Sequence, residues 1–458
     1  MAAALDTGLR ALVLAMVTAV ALAAVTTTFW FAQAAWHEAA PGWVLAGLGI
    51  ALLLGLAGGT GRLRGLLAAG VWPAVLAALG LRLGVVWALD VPLISDFKDY
   101  HELALGLLNG APWLQEGRPT GYPLALAAAY AAFGTTTSVG EGLGVALGTL
   151  GVLALHALAK PLVGPRGATA AAWAYALWPA HLLSTPVLGT EVPYTTAFLA
   201  MMAALVRVGP GLAAGAAWAC LAGALTAVAQ YVRPTTLALV PAAWAFLVRG
   251  APGLRVGALR VLLYTGALLA LLGPVAAFNH AHLGRWSLST SAYGSWSLLV
   301  GMNQQHHGMW NVDDAAVADR LRDRQAIDAW AAEEGRRRMV ADPPATLALM
   351  GRKFVIMWGA EDFGVYWAYG FRPDADPGVR SLLTLASQAF YAALTTLAAV
   401  ALWRKRRWPV GMWPLWIGLL TLVGVHSLLE VQGRYHCYWT PVFMIAAGAL
   451  AARGESDA

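Results

Sequence analysis

Cysteine is almost absent from this chain: 458 residues contain two, Cys220 and Cys437. Cys220 lies inside an apolar run and Cys437 near the end of one. The pair has no metal-ligand spacing and offers no disulfide framework. Charge is the second scarcity. Asp, Glu, Lys and Arg make up 12% of the residues, about half the share of roughly 25% in soluble globular chains. There is no internal repeat at a fixed period and no low-complexity segment. The net charge of +6 would suggest nucleic acid in a soluble protein. Here most of the excess falls in short loops between apolar runs, so nucleic acid is excluded as a partner.

What the chain has in excess is apolar sequence, 59% of all residues. Runs near 20 residues recur from end to end, the length that crosses a bilayer core of roughly 30 Å. The reading is an all-α polytopic membrane protein, one membrane domain over 1–458. About 12 spans are expected, near 9–31, 42–58, 69–92, 141–160, 168–187, 192–207, 211–231, 235–250, 258–278, 381–403, 409–428 and 438–452. The opening run is too long for a signal-peptide core and reads as a retained helix. The run 121–134 is too short to span and reads as amphipathic or re-entrant.

The positive-inside rule orients these spans. With a cytoplasmic amino terminus, the inner loops carry Arg62 and Arg64, Lys160 and Arg166, Arg207, Arg249, Arg255 and Arg260, and the block Arg404 to Arg407. The loop between the first two spans carries no Lys or Arg. Both termini are therefore expected in the cytoplasm of an inner (plasma) membrane protein. Polar sequence then collects on the outer side: the 93–140 loop, the link holding Glu191, the long segment 279–380, and the tips at Arg233 and 430–436.

The 93–140 loop holds the first chemical candidates. Asp96 and Asp99 lie three residues apart, so a helix starting there places both on one face beside Tyr100. The plainer reading is that Ser95 or Asp96 caps that helix. Arg118 precedes the turn-rich Pro119-Thr120-Gly121-Tyr122-Pro123, where a guanidinium can pair with a phosphate or anchor to headgroups. Glu191 sits at a membrane edge, where a carboxylate is costly, although a first-turn Glu also suits the helix dipole. Arg233 is the sole cation of a tight outer turn, against the positive-inside bias. Glu430, Gln432, Arg434, Tyr435 and His436 crowd one outer turn and suggest a lined cavity. His280, His282, His306 and His307 lack acidic or thiol partners at ligand spacing and read as loop histidines. The stretch 315–340 reads as a surface helix and 345–358 as a segment lying in the interface plane.

Read together, Asp96-Phe-Lys-Asp-Tyr100, Leu108-Asn-Gly110 and Arg118-Pro119-Thr-Gly-Tyr-Pro123 resemble the first outer loop of bacterial GT-C glycosyltransferases. The nearest group holds the protein O-mannosyltransferase-like and aminoarabinose-transferase-like enzymes. Phe133-Gly134, Trp178-Pro179 before Thr190-Glu191, Arg233-Pro234, Gly301-Met-Asn303 to Gly308-Met-Trp-Asn311, and Gln432-Gly-Arg434-Tyr435 extend the likeness over roughly residues 70 to 450. Phe97 stands where the family has a second acid, so Asp96 alone carries over as catalytic. Two extra spans precede the motif loop, where many relatives have one span.

The resemblance implies a GT-C type bundle with interfacial helices in its outer loops. It implies transfer of a sugar from a polyprenyl-phosphate donor to a lipid, glycan or protein acceptor on the extracytoplasmic face. Asp96 would be the general base of an inverting reaction, and Glu191 would orient the acceptor or a sugar hydroxyl. Arg118, Arg233 and Arg434 would hold the donor phosphate, while Asp99, Tyr100, Tyr122, Tyr435 and His436 line the substrate cavity. No cofactor is required by the sequence and no metal ligands are assigned; a divalent cation stays open. Two alternatives remain. A surface-polysaccharide ligase or polymerase shares the face and the arginines. A 12-span secondary transporter fits the span count, and Arg82 inside the third span favours it.

Overall fold

The computed structural model describes residues 2–38, 65, 67–114, 117–209, 211–290, 294–321, 323–405 and 408–451. The expected span 42–58, Arg62, Arg64, Arg406 and Arg407 lie outside the described residues. Among those described the secondary structure is helical, without a strand.

Among the described residues six helices are long and apolar enough to cross a bilayer: Thr7–Ala35, Thr137–Ala176, Leu212–Val232, Leu254–His282, Pro377–Arg404 and Val410–Leu428. Four shorter apolar helices accompany them, Trp72–Ala88, Gly121–Phe133, Glu191–Val206 and Pro234–Arg249. The protein is a multi-pass membrane protein.

In chain order the helices are α1 (Ala2–Glu38), α2 (Trp72–Ala88), α3 (Ser95–Leu108), α4 (Gly121–Phe133), α5 (Thr137–Ala176), α6 (Pro179–Leu183), α7 (Glu191–Val206), α8 (Leu212–Val232), α9 (Val240–Arg249) and α10 (Leu254–Leu283). They continue as α11 (Gly294–Gly301), α12 (Val312–Leu321), α13 (Arg324–Ala341), α14 (Pro343–Gly359), α15 (Phe363–Ala368), α16 (Pro377–Arg404), α17 (Trp413–Leu428) and α18 (Thr440–Gly448). α1 packs along α16, α8 sits between α7 and α10, and α5 meets α2, α7 and α18.

Several expected spans are shorter than their hydropathy. α5 is broken at Gly164, whose φ of 77° is a left-handed backbone between Pro161 and Pro165. Its second half stops at Ala176, so the expected span 168–187 is helical for half its length and then folds into α6 and a turn. The reason is polar. Arg82 on α2 is fully buried and reaches this turn, donating from Nη1 to Thr185 Oγ1 at 2.7 Å and from Nη2 to His181 Nδ1 at 3.0 Å. Gly148 makes the room: a Cβ there would lie 2.5 Å from the guanidinium carbon. The expected last span 438–452 is the nine-residue α18, preceded by a 3₁₀ turn at Gly433–His436. Both are enclosed by other helices, and an apolar composition inside protein does not require a spanning helix.

The long segment 279–380 departs in two places. The expected surface helix 315–340 is two helices, with Asp323 capping the second by accepting from Ala326 N at 2.7 Å. The stretch expected in the interface plane is α14, and its Lys353 is buried. Nζ donates to Gly301 O and Ser427 O, both at 2.9 Å, tying the ends of α11 and α17 together.

Charge divides the two ends of the bundle. Arg207 at the end of α7 donates to Ala157 O, Arg260 donates to Gly209 O and Gly250 O, and Arg249 stacks on Trp413. These residues share one end. Glu191 stands at the opposite end of the 16-residue α7, about 24 Å away at 1.5 Å per residue.

Candidate active site

Asp96 is positioned by an unusual helix start. α3 begins after Ile94, an N-cap whose side chain makes no capping hydrogen bond. Ser95 has φ 51°, a left-handed backbone uncommon for a residue with a Cβ. The capping role open to Asp96 is not what its carboxylate does. Oδ1 accepts from Arg118 Nη2 at 2.5 Å and Oδ2 from Arg434 Nη2 at 3.0 Å. Asp99, one turn on and on the same face, accepts from Arg118 Nε at 3.2 Å and Nη2 at 3.1 Å.

The ladder continues inward. Arg434 Nη1 lies 3.5 Å from Glu191 Oε1, and that oxygen accepts from Arg233 Nη2 at 2.6 Å. Arg233 also donates from Nε to Thr190 Oγ1 at 3.1 Å. Asp99, Arg118, Asp96, Arg434, Glu191 and Arg233 thus form one alternating series drawn from five stretches of sequence. Gly121, at the start of α4, permits the close fit: a Cβ there would stand 2.6 Å from the backbone carbon of Tyr231. That brings the Arg118 turn against the end of α8, which leads to Arg233.

Exposure falls along the series. The Asp99 and Arg118 side chains are 48% and 34% exposed, those of Arg233 and Glu191 13% and 6%. The open end is therefore Asp96, Asp99 and Arg118, while Arg233 and Glu191 form a closed end. Arg233 is backed by the rings of Tyr194, Tyr435 and Tyr438 at 5.6–5.8 Å. Arg434 lies 5.2 Å over Trp367 and donates from Nε to Gln432 Oε1 at 2.8 Å. Gln432 in turn donates to Glu430 Oε1 at 2.7 Å.

The charges shape one another. Burial alone would raise the Asp96 carboxyl, but Arg434 and Arg118 outweigh it and hold it below its ordinary value. Burial opposes the charge of Arg233 and Arg434, yet Glu191 beside both keeps them above the usual arginine value. Glu430 is raised by burial, tempered by Gln432 and Arg434. Burial and then Asp96 push Tyr100 up to about 12, so its phenol stays neutral.

The other expected site residues divide. Tyr100 and Tyr122 are buried beneath the ladder, their rings edge to face at 5.6 Å. They form the floor of the site, with little surface open to a ligand. Tyr435 is partly exposed and lies under Arg233. His436 corrects its expectation. Its side chain is fully enclosed, and Nε2 faces Glu361 Oε2 in a short hydrogen bond, so it does not line the cavity. Asn303 and Asn311 both donate to buried Asp314, which also pairs with Arg338 at 2.7 Å. That motif is an internal polar knot within the segment 279–380. His306 pairs with Asp313 and His307 with Arg352. Among the described residues no group of three or more His, Cys, Asp or Glu is arranged to hold a metal ion. Sequence reasoning missed Glu361, in the link before α15, and Trp367, within α15, since neither belongs to a motif of its own.

A helical membrane bundle carrying this series at one end has the fold of the GT-C glycosyltransferases. It is similar to AglB, the oligosaccharyltransferase of Archaeoglobus fulgidus, in complex with an inhibitory peptide and a dolichol-phosphate: TM-score 0.52 and 14% identity, over 84% of this chain and 50% of that one. The apo form of the Archaeoglobus fulgidus oligosaccharyltransferase aligns over the same shares with 16% identity and TM-score 0.52. ArnT from Cupriavidus metallidurans bound to undecaprenyl phosphate aligns at 14% identity over 84% of this chain and 78% of that one, with TM-score 0.39. The chain spans about half the length of the oligosaccharyltransferase. No protein-family model and no curated protein matches it.

Proposed function

We propose that this protein is a membrane glycosyltransferase that moves a monosaccharide from a polyprenyl-phosphate donor to an acceptor hydroxyl on the extracytoplasmic face. The acceptor hydroxyl belongs to a lipid, a glycan or a protein. The observation that carries the reading is the grip of two arginines, Arg118 and Arg434, on the two oxygens of Asp96. A base and two phosphate-binding groups thereby meet at the more open part of the series.

An alcohol is a weak nucleophile and needs a positioned base. Asp96 takes the hydroxyl proton as the oxygen attacks the anomeric carbon from the face opposite the leaving group, inverting it. The anomeric C–O bond breaks and its electron pair leaves with the polyprenyl phosphate. Arg118, the accessible guanidinium, and Arg434 receive that growing charge. A donor phosphate therefore competes with Asp96 and Asp99 for the same guanidinium protons. As the arginines turn to phosphate, the carboxylate loses the partners that hold it acidic and becomes a better base. Glu191 keeps Arg434 and Arg233 in place and orients an acceptor or sugar hydroxyl.

The separation of Arg207, Arg249 and Arg260 from Glu191 supports an outer site, since basic residues favour the cytoplasmic side. Both termini are then cytoplasmic in an inner (plasma) membrane. The dolichol-phosphate bound by the fold neighbour AglB supports a polyprenyl-phosphate carrier. The test is incubation of the purified protein with a panel of polyprenyl-phosphate sugars, scoring polyprenyl phosphate release. Consumption of none, with sugar uptake into vesicles, would favour a transporter.

A further inference from the structure

One buried carboxylate lies outside the ladder and has two strong partners. Glu361, in the link between α14 and α15, is fully enclosed. Oε1 accepts from Trp178 Nε1 at 2.5 Å, and Oε2 meets His436 Nε2 in a short hydrogen bond. Its backbone N–H donates to Gln388 Oε1 at 2.7 Å. Gln388 itself is fixed, donating to Ala24 O at 2.8 Å and Gly359 O at 2.7 Å. Glu361 is thus anchored from α1, α14, α16 and the start of α6.

His436 closes the 3₁₀ turn that begins at Gly433, so it is two residues from Arg434. Its Nδ1 has no hydrogen-bond partner; the tautomer with its proton on Nε2 satisfies the pair. From this geometry we infer that Glu361 is a positioning residue: through His436 it sets the turn that aims Arg434 at Asp96 and Glu191. Its catalytic consequence rests on the glycosyl-transfer reading; its structural content does not.

The chemistry requires a carboxylate. Glu361 receives two N–H donors, one on each oxygen. Gln at this position has one acceptor oxygen and one donor amide. It can accept from Trp178 and donate to His436 only if His436 moves its proton to Nδ1, which leaves that N–H buried without an acceptor.

The test is carbodiimide labelling of Asp96 in the full chain in nanodiscs, quantified by peptide mass spectrometry beside thermal melting. Arg434 shields one oxygen of Asp96, so Glu361→Gln is expected to raise Asp96 labelling roughly threefold or more in folded protein. His436→Gln keeps an N–H directed at Glu361 and is expected to label as the parent does. His436→Leu is expected to match Glu361→Gln, and this His436 pair decides the matter if Glu361→Gln fails to fold. Unchanged Asp96 labelling in folded Glu361→Gln, or equal labelling of the two His436 variants, overturns the inference. Turnover of polyprenyl-phosphate sugars by the parent protein is scored on the same preparations. Absent turnover with the labelling pattern intact removes the transfer reading and leaves the positioning role. Normal turnover without the labelling change does the reverse.

Discussion

Arg434 Nη2 stands 3.0 Å from Asp96 Oδ2, joining residues 338 positions apart. The contact links the 93–140 loop to the turn before α18, and it places a guanidinium on the carboxylate that the proposed reaction uses. Arg118 covers the other oxygen. In this arrangement the proposed base is held by the groups proposed to bind the donor.

Arg118 is the more exposed of the two guanidiniums on Asp96. Arg118→Ala is expected to raise the KM for donor about tenfold or more, the loss of a charge-assisted pair of roughly 1.5–3 kcal/mol. The KM for acceptor should change little. Steady-state kinetics with each substrate varied in turn checks this, and equal losses on both would point to a structural role.

The pH profile follows from the same contacts. Burial would raise Asp96, but Arg434 and Arg118 hold it below its ordinary value of 3.8. A depressed carboxyl contributes stability above its unfolded pKa, and that contribution is lost as pH falls through the folded one. For the free enzyme, kcat/KM should therefore stay level down to about pH 4. With donor bound the arginines engage phosphate, so the acid limb of kcat should lie at higher pH. Coincident acid limbs would contradict the exchange of partners.

Glu191 and Arg233 form the closed end of the series. Glu191→Gln leaves Arg233 and Arg434 without their shared carboxylate, and an unpaired buried charge costs about 3–5 kcal/mol. Removing both members as Glu191→Gln with Arg233→Gln should cost less than the sum of the two single changes. Thermal melting of the four proteins measures the coupling; strict additivity would show that the pair acts independently.

Arg82 illustrates what hydropathy conceals. Within an apolar run it looked like a transport residue, but it braces the turn that precedes Glu191 by holding His181 and Thr185. Arg82→Leu is expected to destabilise the fold by about 1–3 kcal/mol, the cost of leaving buried acceptors unpaired. Melting temperature and the fraction of active protein should fall together, with the KM of the remaining active protein unchanged. A changed KM at unchanged stability would count against the brace.

The long spans 211–231, 258–278, 381–403 and 409–428 were legible because lipid-facing helices must be both long and apolar. Asp96, Arg118, Glu191, Arg233 and Arg434 were legible because charge at a membrane edge is costly. The Gly164 break, the shortened α18 and the enclosed Lys353 were not, since an apolar run inside protein reads like one in lipid. Glu361 was hidden for another reason: its partners Trp178 and His436 are distant in sequence, and no local pattern announces them. His436 was misplaced because five polar residues in one turn looked like one surface, whereas successive residues of a tight turn face different sides.

The central claim is that Asp96 is the base for sugar transfer. Asp96→Asn keeps the size of the side chain and removes the proton acceptor. The measurement is polyprenyl phosphate release by this variant and the parent protein from the polyprenyl-phosphate sugar that the parent consumes. Melting of both confirms that they are folded. The account predicts normal folding with transfer lowered by at least about 10²-fold, the contribution of a general base. Transfer at the parental rate in folded Asp96→Asn would contradict it.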